Sequence, residues 1–296
     1  MRRRAFIAGV GATFLPARAA FGDGGASELC APSNDELARY AWLDAATPVR
    51  RLGEAIGTPT GYTRATNADG SLGAWLRGLP LRKRGTPVLA YDGRTVREAG
   101  DDRVAAVLEM DCGTTDLQQC ADSAIRLHAE WLWSRGEKAR IGYHFLSGDF
   151  ATWPRYAAGE RPSVTGNKVV WKASAKPSET RATFRSYLDM VFMFANTVSL
   201  AKESTVIAKA DLAAGDFFVQ PGSPGHAVMF LDVATSKTGE RAALLGQGFM
   251  PAQDFHVLSS GSPLAPWFSL EGDSVDTPFW DPFPWKALHR FPQKAP

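Results

Sequence analysis

The chain has 296 residues, with 33 lysines and arginines against 31 acids. Four of the arginines (Arg2, Arg3, Arg4 and Arg18) lie in the first nineteen residues, and without them 29 basic residues face 31 acids. No cationic face follows, which excludes the electrostatic footprint of a nucleic-acid binder. The roughly 275 residues after that leader suit one large domain, since neither a linker nor an internal repeat divides them.

Met1–Ala19 reads as a signal peptide. It has consecutive arginines, a modest apolar run from Ala5 to Leu15, and small residues around an Ala17-Arg18-Ala19 cleavage site. Arg3-Arg4-Ala5-Phe6-Ile7 fits the twin-arginine pattern. The run falls short of the roughly 20 apolar residues of a membrane span, and no later stretch approaches that length. The expected location is the periplasm or another exported compartment, and the expected organisation is one domain over 20–296.

Glu36–Leu43 is a short helix candidate, and Ser71–Leu81 reads as a short helix running into an extended segment. Pro87–Tyr91 and Val104–Met110 are strand candidates around the Asp92-Gly93 turn, together a small sheet. A strong helix pattern follows, with Leu117, Ala121, Ala124, Ile125, His128, Trp131 and Leu132 on one face. Thr115 or Asp116 would cap it, placing Cys120 about a turn inside. There the positive end of the helix favours thiolate over thiol, although a free cysteine on a helix also serves as a small buried hydrophobe. His128, eight residues further, is about 12 Å up the axis and reads as a core histidine.

Arg140–Leu146 reads as a strand containing His144, which could line a cleft or simply pack. Residues 147–178 lose periodicity and read as a loop-rich insertion. Glu179–Lys202 is the second main helix, with Phe184, Tyr187, Leu188, Val191, Phe192, Ala195 and Val198 on one face. Then Gly215-Asp216 opens a strand, Pro221–Gly225 turns, and a second strand begins at His226. Alternation puts His226, Val228, Phe230 and Asp232 on one face. A turn at Ser236–Glu240 returns the chain as Arg241–Phe249, so His226 faces Phe249 and lies diagonal to Gln247, which could hold the imidazole. The tail, 262–296, is rich in proline and aromatic residues. It reads as a strap packed over the core and ending in a short helix to Phe291, or as a platform for sugar or peptide.

The three cysteines are Cys30, Cys112 and Cys120. A Cys30–Cys112 bridge would leave Cys120 free, and a Cys112–Cys120 bridge would end any nucleophilic role. No second cysteine or histidine has zinc-ligand spacing, so neither metal nor cofactor is expected.

The blocks Asp116-Leu117-Gln118-Gln119-Cys120-Ala121-Asp122, Ser223-Pro224-Gly225-His226-Ala227-Val228 and Met250-Pro251-Ala252-Gln253-Asp254-Phe255-His256 resemble signatures of an exported bacterial family of unknown function. The resemblance covers most of the mature chain. More remotely, a cysteine on a helix, followed by a Gly-Asp turn and a strand opened by histidine, is similar to the NlpC-type branch of papain-like cysteine peptidases. That resemblance implies an α+β fold, a central antiparallel sheet packed by two main helices. It implies Cys120 as nucleophile, His226 as general base and Gln247 as orienting residue, with Asp254 and His256 competing for the last role. The expected substrate is a peptide or amide bond, plausibly in peptidoglycan. The rival expectation is a cell-envelope binding or scaffold protein of the same fold, with Cys120 buried.

Overall fold

The turn at residues 236–240 joins the two longest strands, and the rest of the sheet grows outward from that hairpin. The structure is a computed structural model that describes residues 28–292; the expected leader, 1–19, lies outside them. Among the described residues nine strands form the main sheet: β1 (Tyr62–Arg64), β2 (Val104–Val107), β3 (Thr205–Val206), β4 (Phe217–Gln220), β5 (His226–Ser236), β6 (Arg241–Gln247), β7 (His256–Leu258), β8 (Phe268–Ser269) and β9 (Leu288–Arg290). Their order is β3-β9-β4-β5-β6-β7-β2, with β1 added to β5 and β8 to β6. All pairs are antiparallel. The main helices are α1 (Cys120–Ser134), α2 (Arg181–Phe194) and the shorter α3 (Thr197–Glu203). The α+β class with a large antiparallel sheet is therefore as expected.

Both faces of the sheet are buried. On one, Ala227, Met229 and Leu231 of β5 pack with Ala121, Ala124 and Ile125 of α1 and with Trp75 and Leu76. On the other, Val228 and Phe230 pack with Phe268, Phe283 and Leu288 from the C-terminal segment. Fully burying such side chains contributes about 1.5–3 kcal/mol each. The proline- and aromatic-rich tail is thus mostly wall: Trp267, Phe268, Phe283 and Phe291 are buried. Its end is a 3-10 turn (Trp285–Ala287) and strand β9 in place of the expected helix, because Leu288 and His289 complete the ladder beside β4.

Several expected elements are corrected. Helix α1 starts at Cys120, not near Asp116, because the Asp116 carboxylate is drawn away to accept the Ala252 amide at 2.7 Å. The long helix over 179–202 is broken at Asn196, whose side chain accepts from Val198 and Ser199 and so starts α3. The stretch 147–178 is ordered: Phe150–Thr152 pairs with Gly142–His144, Trp153–Ala157 is helical, and Glu160–Thr165 pairs with Lys168–Ala173. The small sheet around Asp92 separates: Val88–Leu89 pairs with Thr95–Arg97, whereas Val104–Val107 joins β7. A bulge between Phe230 and Asp232 takes Asp232 out of the His226 row. The fully buried Asp232 instead meets Arg64 and Arg77, the latter at 2.7 Å.

Candidate active site

The site is assembled where α1 begins against the start of β5. Asp122, in the first turn, accepts the Gln119 amide at 3.1 Å, which fixes the helix start one residue before the thiol. Arg126, buried at 2 % exposure, reaches back and donates to the Asp111 carbonyl at 2.6 Å and Gln118 Oε1 at 2.7 Å. That arginine pins the loop leading into Cys120. Gly248, just past β6, lets the helix approach: a Cβ there would fall 2.3 Å from Ser123 Oγ and 2.9 Å from the Gln119 carbonyl.

The Cys120 sulfur lies against the main chain on either side of His226. It donates to the Gly225 carbonyl at 3.9 Å, and the Ala227 amide points at it. Cys120 is 5 % exposed. Burial pushes the thiol up to about 11, more than the Ala227 amide can counter. Burial likewise holds the Asp122 carboxyl up to about 8, so it is neutral at pH 7. All three cysteines are free thiols, Cys30 exposed and Cys112 buried.

His226, Gln247 and His256 lie on adjacent strands β5, β6 and β7, and Gln247 is directly opposite His256. The register expected from the hairpin holds at this end, with Met229 opposite Gly246. His226 Nε2 bonds Gln247 Oε1 at 2.7 Å, and Gln247 Nε2 reaches His256 Nε2 at 3.5 Å. Nδ1 of His226 has no hydrogen-bond partner among the described residues. Helix α1 packs on the face of β5 that carries Ala227, whereas the His226 ring lies on the face of Val228, against Phe249, Trp280 and Phe283. The thiol thus meets the backbone on either side of His226, but the thiol and the imidazole share no hydrogen bond. Burial lowers both imidazoles to about 4, so both are neutral at pH 7.

Asp254 and His256, the competing orienting residues, divide their roles. The Asp254 carboxylate turns away to Arg82 (2.7 Å) and the Leu89 amide (2.9 Å), while its carbonyl meets His256 Nδ1 at 3.1 Å. His128 is the core histidine its position suggested: it bonds Tyr143 Oη at 2.9 Å and stacks on Phe291 at 4.1 Å. His144 pairs with Glu203 at 3.2 Å, away from the thiol's partners.

Sequence reasoning did not single out Trp280, Asp122 or Arg126. The Trp280 ring covers His226 at 4.8 Å, and its Nε1–H donates to Gln220 Oε1 at 2.8 Å. It belongs to a loop, 276–282, held at its base by the pairing of Ser274–Val275 with Phe283–Pro284. Phe279 in that loop has φ +74° and lies under the Arg97 and Arg103 guanidiniums, at 4.0 and 4.6 Å. Asp122, Arg126 and Glu130 were legible as a charged stripe at four-residue spacing beside the apolar face. A cavity of about 230 Å³, walled by Phe145, Leu146, Met193 and Phe194, contains none of the site residues.

The fold and site together define an α+β domain with a row of His226, Gln247 and His256 on one face of its sheet and, meeting the backbone of the same strand from the other face, a helix opened by a cysteine. The sequence profile described as Domain of unknown function (4846) matches residues 52–290, and the chain belongs to that family. No curated protein and no solved structure matches the chain. No helix among the described residues is long and apolar enough to cross a membrane.

Proposed function

We propose that this protein is an exported cysteine hydrolase of the amidase or peptidase type, with Cys120 as nucleophile, His226 as general base and Gln247 holding the imidazole. One observation carries the reading. His226 is held at Nε2 while Nδ1 has no partner, and the Cys120 sulfur lies against the backbone of the two residues flanking that ring. A nitrogen left bare in a buried ring costs stability, and such a cost is typical of a group kept for chemistry. In the reaction, Nδ1 takes the thiol proton as sulfur attacks the carbonyl carbon. The imidazolium returns that proton to the departing amine as the C–N bond breaks, and water then hydrolyses the thioester. The Cys120 amide at the helix start would serve the oxyanion. The remote likeness to NlpC-type peptidases supports a peptide substrate, with peptidoglycan as the candidate source, and the arginine-rich leader supports a periplasmic location.

At rest the pair is neutral and closed, since His226 is fully buried. Turnover requires the first residues of β5 to bring the Nδ1 edge of His226 round from the Val228 face to the thiol, for which loop 276–282 must lift Trp280 away. Entering water then relieves the burial that separates the two groups' proton affinities.

The same burial favours a second reading, a cell-envelope binding or scaffold protein in which the thiol merely satisfies the Gly225 and Ala227 backbone. Iodoacetamide alkylation of Cys120 in Trp280→Ala and in Trp280→Ala/His226→Ala separates the two. The enzyme reading expects the single variant to react at neutral pH at least about tenfold faster than the double. Equal rates overturn it in favour of the scaffold.

A further inference from the structure

Which nitrogen of His226 carries the proton is decided at the far end of its hydrogen-bonded row, at His256. A carbonyl oxygen only accepts, so the contact with the Asp254 carbonyl at 3.1 Å makes His256 Nδ1 a donor. His256 is fully buried and its ring is neutral, which leaves its Nε2 an acceptor. The Gln247 group facing that nitrogen, at 3.5 Å, must then be the amide NH2. Its carbonyl oxygen is thereby turned to His226, at 2.7 Å, where it accepts from Nε2–H. A neutral ring protonated at Nε2 presents a lone pair at Nδ1, the nitrogen without a partner.

We propose that His256, through the Asp254 carbonyl on one side and the Gln247 amide on the other, is a positioning residue that fixes His226 in the tautomer with Nδ1 unprotonated. Gln247 alone cannot do this. An amide turned over by 180° would offer NH2 to His226 and force the proton onto Nδ1, where no base would remain. With His256 in place the flipped amide would aim its oxygen at a lone pair. The inference rests on the cysteine-hydrolase reading for its purpose, but its geometry and its test do not involve Cys120.

The test is the ¹⁵N NMR signature of the His226 ring at pH 7, which distinguishes Nε2–H from Nδ1–H directly. Wild type is expected to show one tautomer, Nε2–H. His256→Phe removes the acceptor that orients the amide, and His226 is expected to become a mixture of tautomers in a folded protein. A merely structural role for His256 predicts lower stability but an unchanged His226 tautomer. Nδ1–H in wild type, or pure Nε2–H in folded His256→Phe, overturns the proposal. Should His256→Phe not fold, His256→Leu, which likewise removes the acceptor and carries the same expectation, and the wild-type spectrum still decide it. An unreactive Cys120 beside the expected tautomers would instead count against the hydrolase reading alone.

Discussion

Acid should unfold this protein earlier than its charge composition suggests, because three neutral imidazoles are sealed in its core. Burial lowers His226 and His256 to about 4 and His128 to about 3, from an ordinary 6.5. Below pH 6.5 the unfolded chain binds three protons that the native state refuses. Each histidine then removes about 1.4 kcal/mol of stability per pH unit. Their contribution is fully present above 6.5 and is lost as pH falls towards 4. Asp122 works in the opposite sense. Held up to about 8 by burial, it keeps its proton in the native state and gives back about 1.4 kcal/mol per unit across the same window. The net slope rises to about 2.7 kcal/mol per unit once the unfolded histidines are fully charged, so moving from pH 6.5, where they are half charged, to 5 removes about 3 kcal/mol. That is a large fraction of the about 5–15 kcal/mol typical of a native protein. Urea denaturation followed by tryptophan fluorescence at pH 7.5, 6.5, 5.5 and 5 measures it, and His226→Gln should flatten the slope by about 1.4 kcal/mol per unit. A urea midpoint that stays constant from 6.5 to 5 would refute the reasoning, since it would mean that these rings are already protonated or hydrated when folded.

Other outcomes follow from single contacts. Asp232→Asn strands the Arg64 and Arg77 guanidiniums beside a buried amide and should cost about 3 kcal/mol in a urea titration; a loss below about 1 would show the pair to be hydrated. Gly248→Ala drives a methyl into Ser123 and the Gln119 carbonyl, so it should destabilise by about 1–3 kcal/mol and shift the start of α1; a neutral melting temperature contradicts the close approach. With the Cys120 thiol held at about 11, its thiolate fraction at pH 8 is about one in a thousand, against about a quarter for an ordinary thiol. Wild-type Cys120 should therefore label at least about 200-fold more slowly than a free thiol such as glutathione, and comparable labelling would mean an ion pair already formed. If loop 276–282 opens locally, diethylpyrocarbonate modification of His226 should not change with sub-denaturing urea, whereas a steep rise would assign exposure to global unfolding.

The parts of the site legible from sequence are those set by local rules. A two-residue period and a Ser-Lys-Thr-Gly-Glu turn place His226 and Gln247 on one face, because register follows from turn geometry. The apolar stripe from Ala121 to Leu132 likewise locates α1. What escaped depended on competition or on distance. Asp116 has the chemistry of an N-cap, but a backbone amide 136 residues away outbids the helix for it. Asn196 looked like one more residue of a long helix until its side chain supplied a better start for the next. The bulge that turns Asp232 away is invisible to strict alternation. That Asp254 and His256 act in series with Gln247, and not in its place, follows only once β7 is known to lie beside β6.

The hairpin of Glu160–Thr165 and Lys168–Ala173 ends in an exposed tip at Gly166-Asn167, where a protease would cut first. The piece before that cut contains β1, β2 and α1 with Cys120; the piece after it contains β3 to β9 with His226, Gln247 and His256. Yet β1 is laddered to β5 and β2 to β7, so neither piece can complete the sheet without the other. A nicked molecule should stay whole through gel filtration and come apart only in denaturant. The chain is thereby a natural candidate for a split protein. The thiol-bearing half and the histidine-bearing half could be made separately, the second isotope-labelled, and the site rebuilt by mixing.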